Sequence, residues 1–216
     1  MTDSVKKTIE NLQKNNMEVW YCENSAQAKE KVVQLLEGCK TVATGGSVTL
    51  AQTGITDYIT SGKFDFIDRN KKDATPEEKR EIIARTSIAD AYLMSSNAVT
   101  ENGELYNVDG NSNRVSALLY GPSSVIVVIG VNKIVKNIDE AVRRVKVCAA
   151  PKNTVRLSCE TPCSKTGECV SLLREDSKMP DGCRCDGRIC CNYVVCAQQR
   201  HKNRIKVVIV NEQLGY

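Results

Sequence analysis

Helix-like stretches and short apolar runs alternate along this chain from residue 25 onward. The segment SAQAKEKVVQLLEG places Ala28, Val32 and Leu35 on one helical face, and the KTVAT that follows it has the pattern of a strand. Such alternation is typical of a parallel sheet with helices on both faces. The sequence therefore predicts an α/β fold with a Rossmann-like, mainly parallel sheet flanked by helices.

Three further segments refine this prediction. In the run SSVIVVIG, successive residues from Val125 to Ile129 are all apolar, so both faces of a strand formed by this run would be apolar. This pattern indicates a central strand that is buried on both faces. The dipeptide Asn102–Gly103 favours a tight turn and predicts a β-hairpin over 98–108, at the edge of the sheet. An apolar run at 206–210 with no helix after it predicts a last strand that is inserted beside earlier strands.

The length and charge of the chain limit its organisation and its partners. The 216 residues predict a single domain over 1–216, with a cysteine-rich insertion at 159–204 because a strand pattern returns after it. The N-terminal MTDSVKKTIENLQKNN has no apolar leader core, and no run of about 18 apolar residues occurs, so we expect a cytoplasmic protein without a membrane partner. The net charge of +4 is small, and the basic run RHKNRIK lacks aromatic residues for base stacking, so we expect no nucleic-acid partner.

Three polar loops follow predicted strands, and loops in that position form the ligand crevice of an open parallel sheet. TGGSVT combines two glycines with hydroxyl groups and suits an anion, although it matches neither the Walker nor the dinucleotide-binding pattern. The alternative for this loop is a plain tight turn. GVNK could place the cation of Lys133 in the crevice, and the alternative is that Lys133 is an ordinary surface lysine. The third loop, TENGELYNVDGNSNR, is rich in Asn and Asp, and the alternative for these residues is a role in turns, where they are common.

From these loops we predict one crevice that accepts a small anionic metabolite. The candidate ligand-binding residues are Gly45, Gly46, Ser47, Thr49, Asn97, Asn102, Gly103, Asp109, Asn113, Arg114, Asn132 and Lys133. Glu101 is the candidate catalytic residue, because a carboxylate that lies where a strand enters a turn can project as a nucleophile or base. The single histidine, His201, lies in the basic run, which argues against Ser/His/Asp or Cys/His catalysis.

The chain has 11 cysteines, an odd number that argues against a complete disulfide framework in a reducing compartment. We predict one metal centre in the insertion, with Cys163, Cys169, Cys190 and either Cys183 or Cys185 as ligands. Four thiolates suit zinc or an iron–sulfur cluster alike, and the spacing is that of neither a zinc finger nor a ferredoxin. The alternative is reduced thiols without metal, a group to which we assign Cys22, Cys39, Cys148, Cys191 and Cys196.

Six stretches run in order over nearly the whole chain: TGGSVTL, SSNAVTENGELYNVDGNSNRVSALLYGP, VIVVIGVNKIV, AVRRVKVCAAPKN, TPCSKTGEC and RIKVVIVNEQLGY. Together they resemble the LUD-domain family of lactate utilisation proteins. The resemblance implies a fold similar to that of the CoA-transferase, glucosamine-6-phosphate deaminase and ribose-5-phosphate isomerase superfamily. It also implies an association with bacterial lactate oxidation beside iron–sulfur oxidoreductase subunits, and it leaves a homodimer open.

The resemblance bears on two groups of candidate residues. TENG is similar to the Ser-Glu-Asn-Gly stretch that carries the catalytic glutamate of first-class CoA transferases, with Thr100 in place of the serine. In the family's cysteine pattern, PCSKTGEC and RICC have counterparts, but VSLLREDSKMPDG moves the next cysteines further away. The fourth ligand, Cys183 or Cys185, therefore stays open.

Two functions follow from these patterns. The first is an accessory or catalytic redox subunit in the oxidation of lactate or a related small hydroxy acid, which binds an anionic substrate or nucleotide at the three loops. The second is a non-catalytic sensor of a small metabolite, in which the cysteines hold a structural metal. Transferase chemistry at Glu101 is a further alternative that rests on the TENG resemblance alone.

Overall fold

The computed structural model describes residues 1–69, 71 and 73–216, and its strands form two sheets. The strands are β1 (Glu18–Cys22), β2 (Thr41–Thr44), β3 (Asp65–Ile67), β4 (Ala91–Met94), β5 (Ala98–Thr100), β6 (Leu105–Asp109), β7 (Ser124–Gly130), β8 (Ile134–Val135), β9 (Asn192–Cys196) and β10 (Ile205–Val210). The α-helices are α1 (Asp3–Lys14), α2 (Ser25–Leu35), α3 (Val48–Gln52), α4 (Ile55–Ile59), α5 (Pro76–Ser87), α6 (Asn113–Leu119), α7 (Ile138–Arg144), α8 (Ala150–Arg156) and α9 (Pro162–Thr166).

The larger sheet has six strands in the order β1-β10-β7-β4-β2-β3, and every neighbouring pair in it is parallel. The predicted α/β fold with a mainly parallel sheet is therefore confirmed. The predicted last strand is confirmed as well, because β10 lies between β1 and β7. The run SSVIVVIG forms β7, a central strand as predicted.

Two apolar layers cover the two faces of this sheet. In β7, Val125, Val127 and Ile129 pack in one core cluster, whereas Ile126 and Val128 pack in the other. Successive side chains of a strand point to opposite faces, so a strand that is apolar at every position requires helices on both sides. Each fully buried Val or Ile contributes roughly 1.5–3 kcal/mol of transfer free energy to this arrangement.

The smaller sheet has the order β8-β5-β6-β9. The predicted hairpin is present as the antiparallel pair β5–β6, but its predicted place at the edge of the parallel sheet is wrong. The hairpin is instead the centre of a second sheet, because β9 from the cysteine-rich segment pairs with β6 and β8 pairs with β5. The segment predicted as an insertion is thereby tied to the rest of the fold.

Helix α7 continues to Arg156 through a π-helical segment, Val145–Ala149, which joins it to α8. One wide turn of this kind shifts the register of the helix and often occurs at functional sites. Residues of this segment and of α8 line both of the cavities described below.

The hairpin turn packs against α1 so closely that only glycine fits at position 103. Gly103 has a φ of 81°, and an added Cβ would lie 2.5 Å from the backbone carbon of Asn11. We expect Gly103→Ala to lower the free energy of unfolding by about 2–4 kcal/mol, because it combines backbone strain with a backbone clash. Gly38→Ala is the matched control, since Gly38 has the same φ of 81° but no atom within 4 Å of its added Cβ. Urea unfolding of both variants measures the difference, and equal losses would contradict the clash.

Candidate functional site

A cleft with a volume of about 240 Å³ lies at the carboxyl edge of the parallel sheet. Its walls come from the chain that follows five of the parallel strands: Gly46 to Thr49 after β2, Arg69 after β3, Ser95 to Asn97 after β4, Lys133 after β7, and Gly215 with Tyr216 after β10. The end of β6 and the helix at 138–156 close the other sides. This is the position at which open parallel sheets bind ligands.

Most of the predicted ligand-binding residues meet in this cleft. The lining includes Gly46, Ser47, Thr49, Asn97, Asp109, Asn113, Arg114 and Lys133. The predicted residues Gly45, Glu101, Asn102, Gly103 and Asn132 do not line it. The predicted residues that line the cleft follow strands of the parallel sheet or the end of β6. Those that do not line it lie at the hairpin turn or behind the cleft wall.

Glu101 lies on the hairpin turn against α1. Its Oε2 accepts a hydrogen bond from Lys7 Nζ at 3.0 Å, and its backbone carbonyl accepts one from Asn11 Nδ2 at 2.7 Å. A hydrogen bond from the side chain of Ser4, followed by the contact with Lys7, lowers the pKa of the Glu101 carboxyl. These interactions hold α1 against the hairpin turn. Glu101 does not line the cleft, so its catalytic role stays a prediction.

Gly45 and Asn132 support the cleft from behind. An added Cβ on Gly45 would lie 2.9 Å from the hydroxyl of Tyr92 and 3.0 Å from Cγ of Arg114, so the glycine permits this close packing. Asn132 Oδ1 accepts a hydrogen bond from the backbone N–H of Leu214 at 3.0 Å, which holds the segment before Gly215 in place. Both residues therefore position neighbours that line the cleft.

Lys133 carries a buried ammonium group in the cleft wall and is 3% exposed. Its Nζ donates hydrogen bonds to Thr49 Oγ1 at 3.0 Å and to Ser95 Oγ at 2.9 Å. An ammonium group has three N–H donors, and among the residues that the structure describes no carboxylate forms an ion pair with this one. Burial, followed by repulsion from Arg144 and Arg114, lowers the pKa of Lys133 to about 7.

Arg114 lies at the base of the cleft, with its donors directed at the protein. Its Nη1 donates to Asn107 Oδ1 at 2.5 Å, its Nη2 to Asn97 Oδ1 at 3.0 Å and to the Val108 carbonyl at 2.7 Å. Its Nε lies 3.4 Å from Asp109 Oδ2 in an ion pair. Arg114 therefore ties the end of β6 to the chain after β4 and acts on a ligand through its charge rather than through free N–H groups.

The cleft is electropositive. The described lining includes the cations Arg69, Arg114, Lys133 and Arg156, with Asp109 as the carboxylate among them. Arg156 also donates to the hydroxyl of Tyr216 at 2.7 Å, which joins α8 to the chain after β10. Fixed positive charge in a partly enclosed cleft attracts and holds anions.

Several lining residues were absent from the sequence prediction. Among them are Arg69, Ser95, Ser96, Asn153, Arg156 and Tyr216. Ser95 and Ser96 follow β4, a strand that the sequence pattern did not indicate, so the rule that identified the other loops was not applied to them. Tyr216 follows the predicted last strand, so the same rule applied to it and could have identified it. Arg156 carries no such signal, because a helix brings it to the cleft.

A second, small cavity of about 30 Å³ is lined by thiols. Four of the predicted metal ligands, Cys163, Cys169, Cys183 and Cys190, contribute to its wall. Cys185 does not line it, but its Sγ lies 3.2 Å from Sγ of Cys183. As they stand, no three Cys, His, Asp or Glu side chains within 1–69, 71 and 73–216 form a group that could hold a metal ion. The metal centre therefore stays a prediction.

Polar groups of three kinds surround the thiol cavity. Tyr106 is fully buried, and within the described part of the chain its hydroxyl has no hydrogen-bond partner. Lys146 is 6% exposed and donates to Ser177 Oγ at 2.9 Å, and Arg188 donates to the carbonyls of Cys190 and Cys183. Burial, followed by the neighbouring thiols of Cys163 and Cys169, raises the pKa of Cys190 to about 12. Without a bound cation, the Cys190 thiol is therefore protonated at neutral pH.

The cleft and the thiol cavity share a wall. Val145, Ala150, Ile189 and Cys190 line both of them. These four residues would therefore lie between a group bound at the thiols and a ligand in the cleft.

Comparisons with known proteins agree with this architecture. A family model described as LUD domain matches residues 5–210. The chain is also similar to the crystal structure of a DUF162 family protein from Deinococcus radiodurans, with a TM-score of 0.55 and 15% identity over 96% of each chain. At this identity the likeness shows the fold alone. No curated protein matches the chain. Each helix in the described residues is too short or too polar to cross a membrane.

Proposed function

Since this chain belongs to the LUD domain family, we propose that it acts in the utilisation of lactate or a related small hydroxy acid and binds a small anionic metabolite in its cleft. The observation that carries the proposal is the buried ammonium of Lys133, which faces the cleft and has hydroxyl partners but no carboxylate among the described residues. Burying a charge without a counter-ion is costly, and a ligand anion would supply that counter-ion.

The size of the cleft supports a small acid as the ligand. Its volume of about 240 Å³ lies below the range of about 300–1,000 Å³ that is usual for drug-sized ligands. A hydroxy acid or an oxo acid has one carboxylate for Lys133 and a hydroxyl or keto oxygen for the hydroxyl group of Ser47, which lines the cleft and accepts a hydrogen bond from the Leu50 backbone N–H. Glu101 has no part in this proposal, because it lies outside the lining.

We further propose that the thiol cavity holds zinc or an iron–sulfur cluster, with Cys163, Cys169, Cys183 and Cys190 as ligands. Four thiolates around such a centre leave a net negative charge, and Lys146 and Arg188 supply compensating positive charge at the cavity wall. The hydroxyl of Tyr106, which has no hydrogen-bond partner among the described residues, would find an acceptor in a bound sulfur. An iron–sulfur cluster would supply one-electron chemistry, which suits an accessory redox subunit beside iron–sulfur oxidoreductase partners.

The pH dependence of ligand binding tests the cleft proposal. The pKa of Lys133, about 7, means that its cationic form is nearly fully present at pH 6 and mostly lost at pH 8. Lactate and pyruvate remain ionised over this range, so we expect their affinity to be about tenfold lower at pH 8 than at pH 6. Calorimetric titration at both pH values measures this ratio. An affinity that is unchanged or rises with pH would contradict a contact with Lys133, and failure to bind either acid would reject the cleft proposal.

A further inference from the structure

Two cysteines of the thiol segment lie in direct sulfur contact. Sγ of Cys183 and Sγ of Cys185 are 3.2 Å apart, and Arg184 is the one residue between them. A disulfide bond is about 2.05 Å long, so the sulfurs need to approach by only about 1 Å, a shift within reach of side-chain rotation.

Arg188 holds the backbone of the two cysteines in this position. Nη1 of Arg188 donates a hydrogen bond to the Cys183 carbonyl at 2.9 Å, and the backbone N–H of Arg188 donates one to the Cys185 carbonyl at 3.1 Å. Both carbonyls are thus fixed by one residue, and both cysteines remain partly exposed to solvent. A small oxidant therefore reaches a pair of thiols that is already aligned.

We propose that Cys183 and Cys185 are a modification site at which a peroxide forms an intramolecular disulfide. The thiolate of one cysteine attacks the peroxide O–O bond and becomes a sulfenic acid, with release of water. The second thiol then attacks the sulfenic sulfur, forms the S–S bond and releases a second water molecule. In total, two thiols lose two electrons and two protons to hydrogen peroxide, which is reduced to two molecules of water.

The modification changes the set of thiols at the cavity. Cys183 lines the cavity with Cys163, Cys169 and Cys190, whereas Cys185 does not. A bond to Cys185 withdraws Cys183 from metal binding, so oxidation is expected to release a bound metal. This consequence rests on the proposed metal centre, whereas formation of the disulfide does not.

Peptide mapping tests the site directly, because trypsin cleaves after Arg184, between the two cysteines. The purified, reduced chain is treated with one equivalent of hydrogen peroxide, alkylated and digested without reductant. We expect peptides 179–184 and 185–188 to remain linked, to separate on reduction, and to form the most abundant oxidised product. Cys185→Ser should abolish this product, whereas Cys191→Ser, which removes an exposed thiol of the same segment, should leave it unchanged.

Other products would overturn the inference. These are full alkylation of both cysteines while other thiols oxidise, a preferred link from Cys183 to a different cysteine, or further oxidation to sulfinic acid without a link. The mapping of the unaltered chain decides among them even if a variant fails to fold. Metal content before and after peroxide is a separate readout: a linked pair in a chain that never held metal supports the disulfide and rejects the proposed centre.

Discussion

Replacing Lys133 by methionine is expected to lower the affinity for lactate or pyruvate about 100-fold, which corresponds to about 2.7 kcal/mol. The substitution keeps an unbranched side chain of similar length but removes the charge and the N–H donor available to a ligand. A hydrogen bond to a charged group contributes about 1.5–3 kcal/mol, and the attraction of the buried charge adds to it. Calorimetric titration at pH 6, where Lys133 is cationic, measures the loss.

Lys152→Met is the matched control for this experiment. Lys152 is exposed on α8, a helix that also lines the cleft, so its replacement removes the same charge without touching the buried site. We expect its effect on affinity to be less than about twofold, since exposed charges are screened. Lys133→Met should also unfold no more readily than the unaltered chain, because it removes a buried charge for which the described residues supply no counter-ion. A Lys133→Met chain that binds within twofold of the original would contradict the proposed contact.

The sequence predicted the larger sheet and much of the cleft for the same physical reason. Apolar runs such as those of β7 and β10 are typical of strands that are buried on both faces, and such strands belong to parallel sheets covered by helices. Once the strands are parallel, the chain after each of them lies at one edge of the sheet. Ser47 and Thr49 meet Lys133 in the cleft for this reason, although Lys133 is far from both of them in the sequence.

The hairpin shows where this reasoning stops. Its turn was predicted from Asn102 and Gly103, but its place was not, because β6 pairs with a strand of the cysteine-rich segment. Strand pairing across such a distance depends on packing rather than on local pattern. Glu101 consequently faces α1 and not the cleft, and the resemblance of TENG to a catalytic stretch does not contain this information.

The side-chain partners of Arg114 were equally hidden. The sequence indicated a cation near the crevice, yet it did not indicate that Asn97, Asn107 and Asp109 would occupy its donors. Similarly, spacing left the choice between Cys183 and Cys185 open. The turn held by Arg188 places Cys183 at the thiol cavity and Cys185 beside it, which is a property of tertiary structure.

Replacing Cys190 by serine is expected to lower the metal content of the anaerobically purified chain at least about tenfold, because serine is a poor ligand for zinc and iron–sulfur centres. Cys190 lines the thiol cavity together with Cys163, Cys169 and Cys183, so it lies among the other three proposed ligands. Burial raises its pKa to about 12, and a bound metal is what would deprotonate it at neutral pH. Elemental analysis measures the metal, and visible absorbance distinguishes an iron–sulfur cluster from colourless zinc.

Cys191→Ser is the matched control for the metal measurement, because Cys191 is the adjacent residue, is exposed and does not line the thiol cavity. We expect this variant to keep its full metal content. The unaltered chain and Cys191→Ser should also unfold at a higher temperature than Cys190→Ser, since β9 begins two residues after Cys190 and pairs with β6. If the unaltered chain contains no metal under anaerobic purification, or if Cys190→Ser retains as much as Cys191→Ser, the cavity is a packed group of reduced thiols.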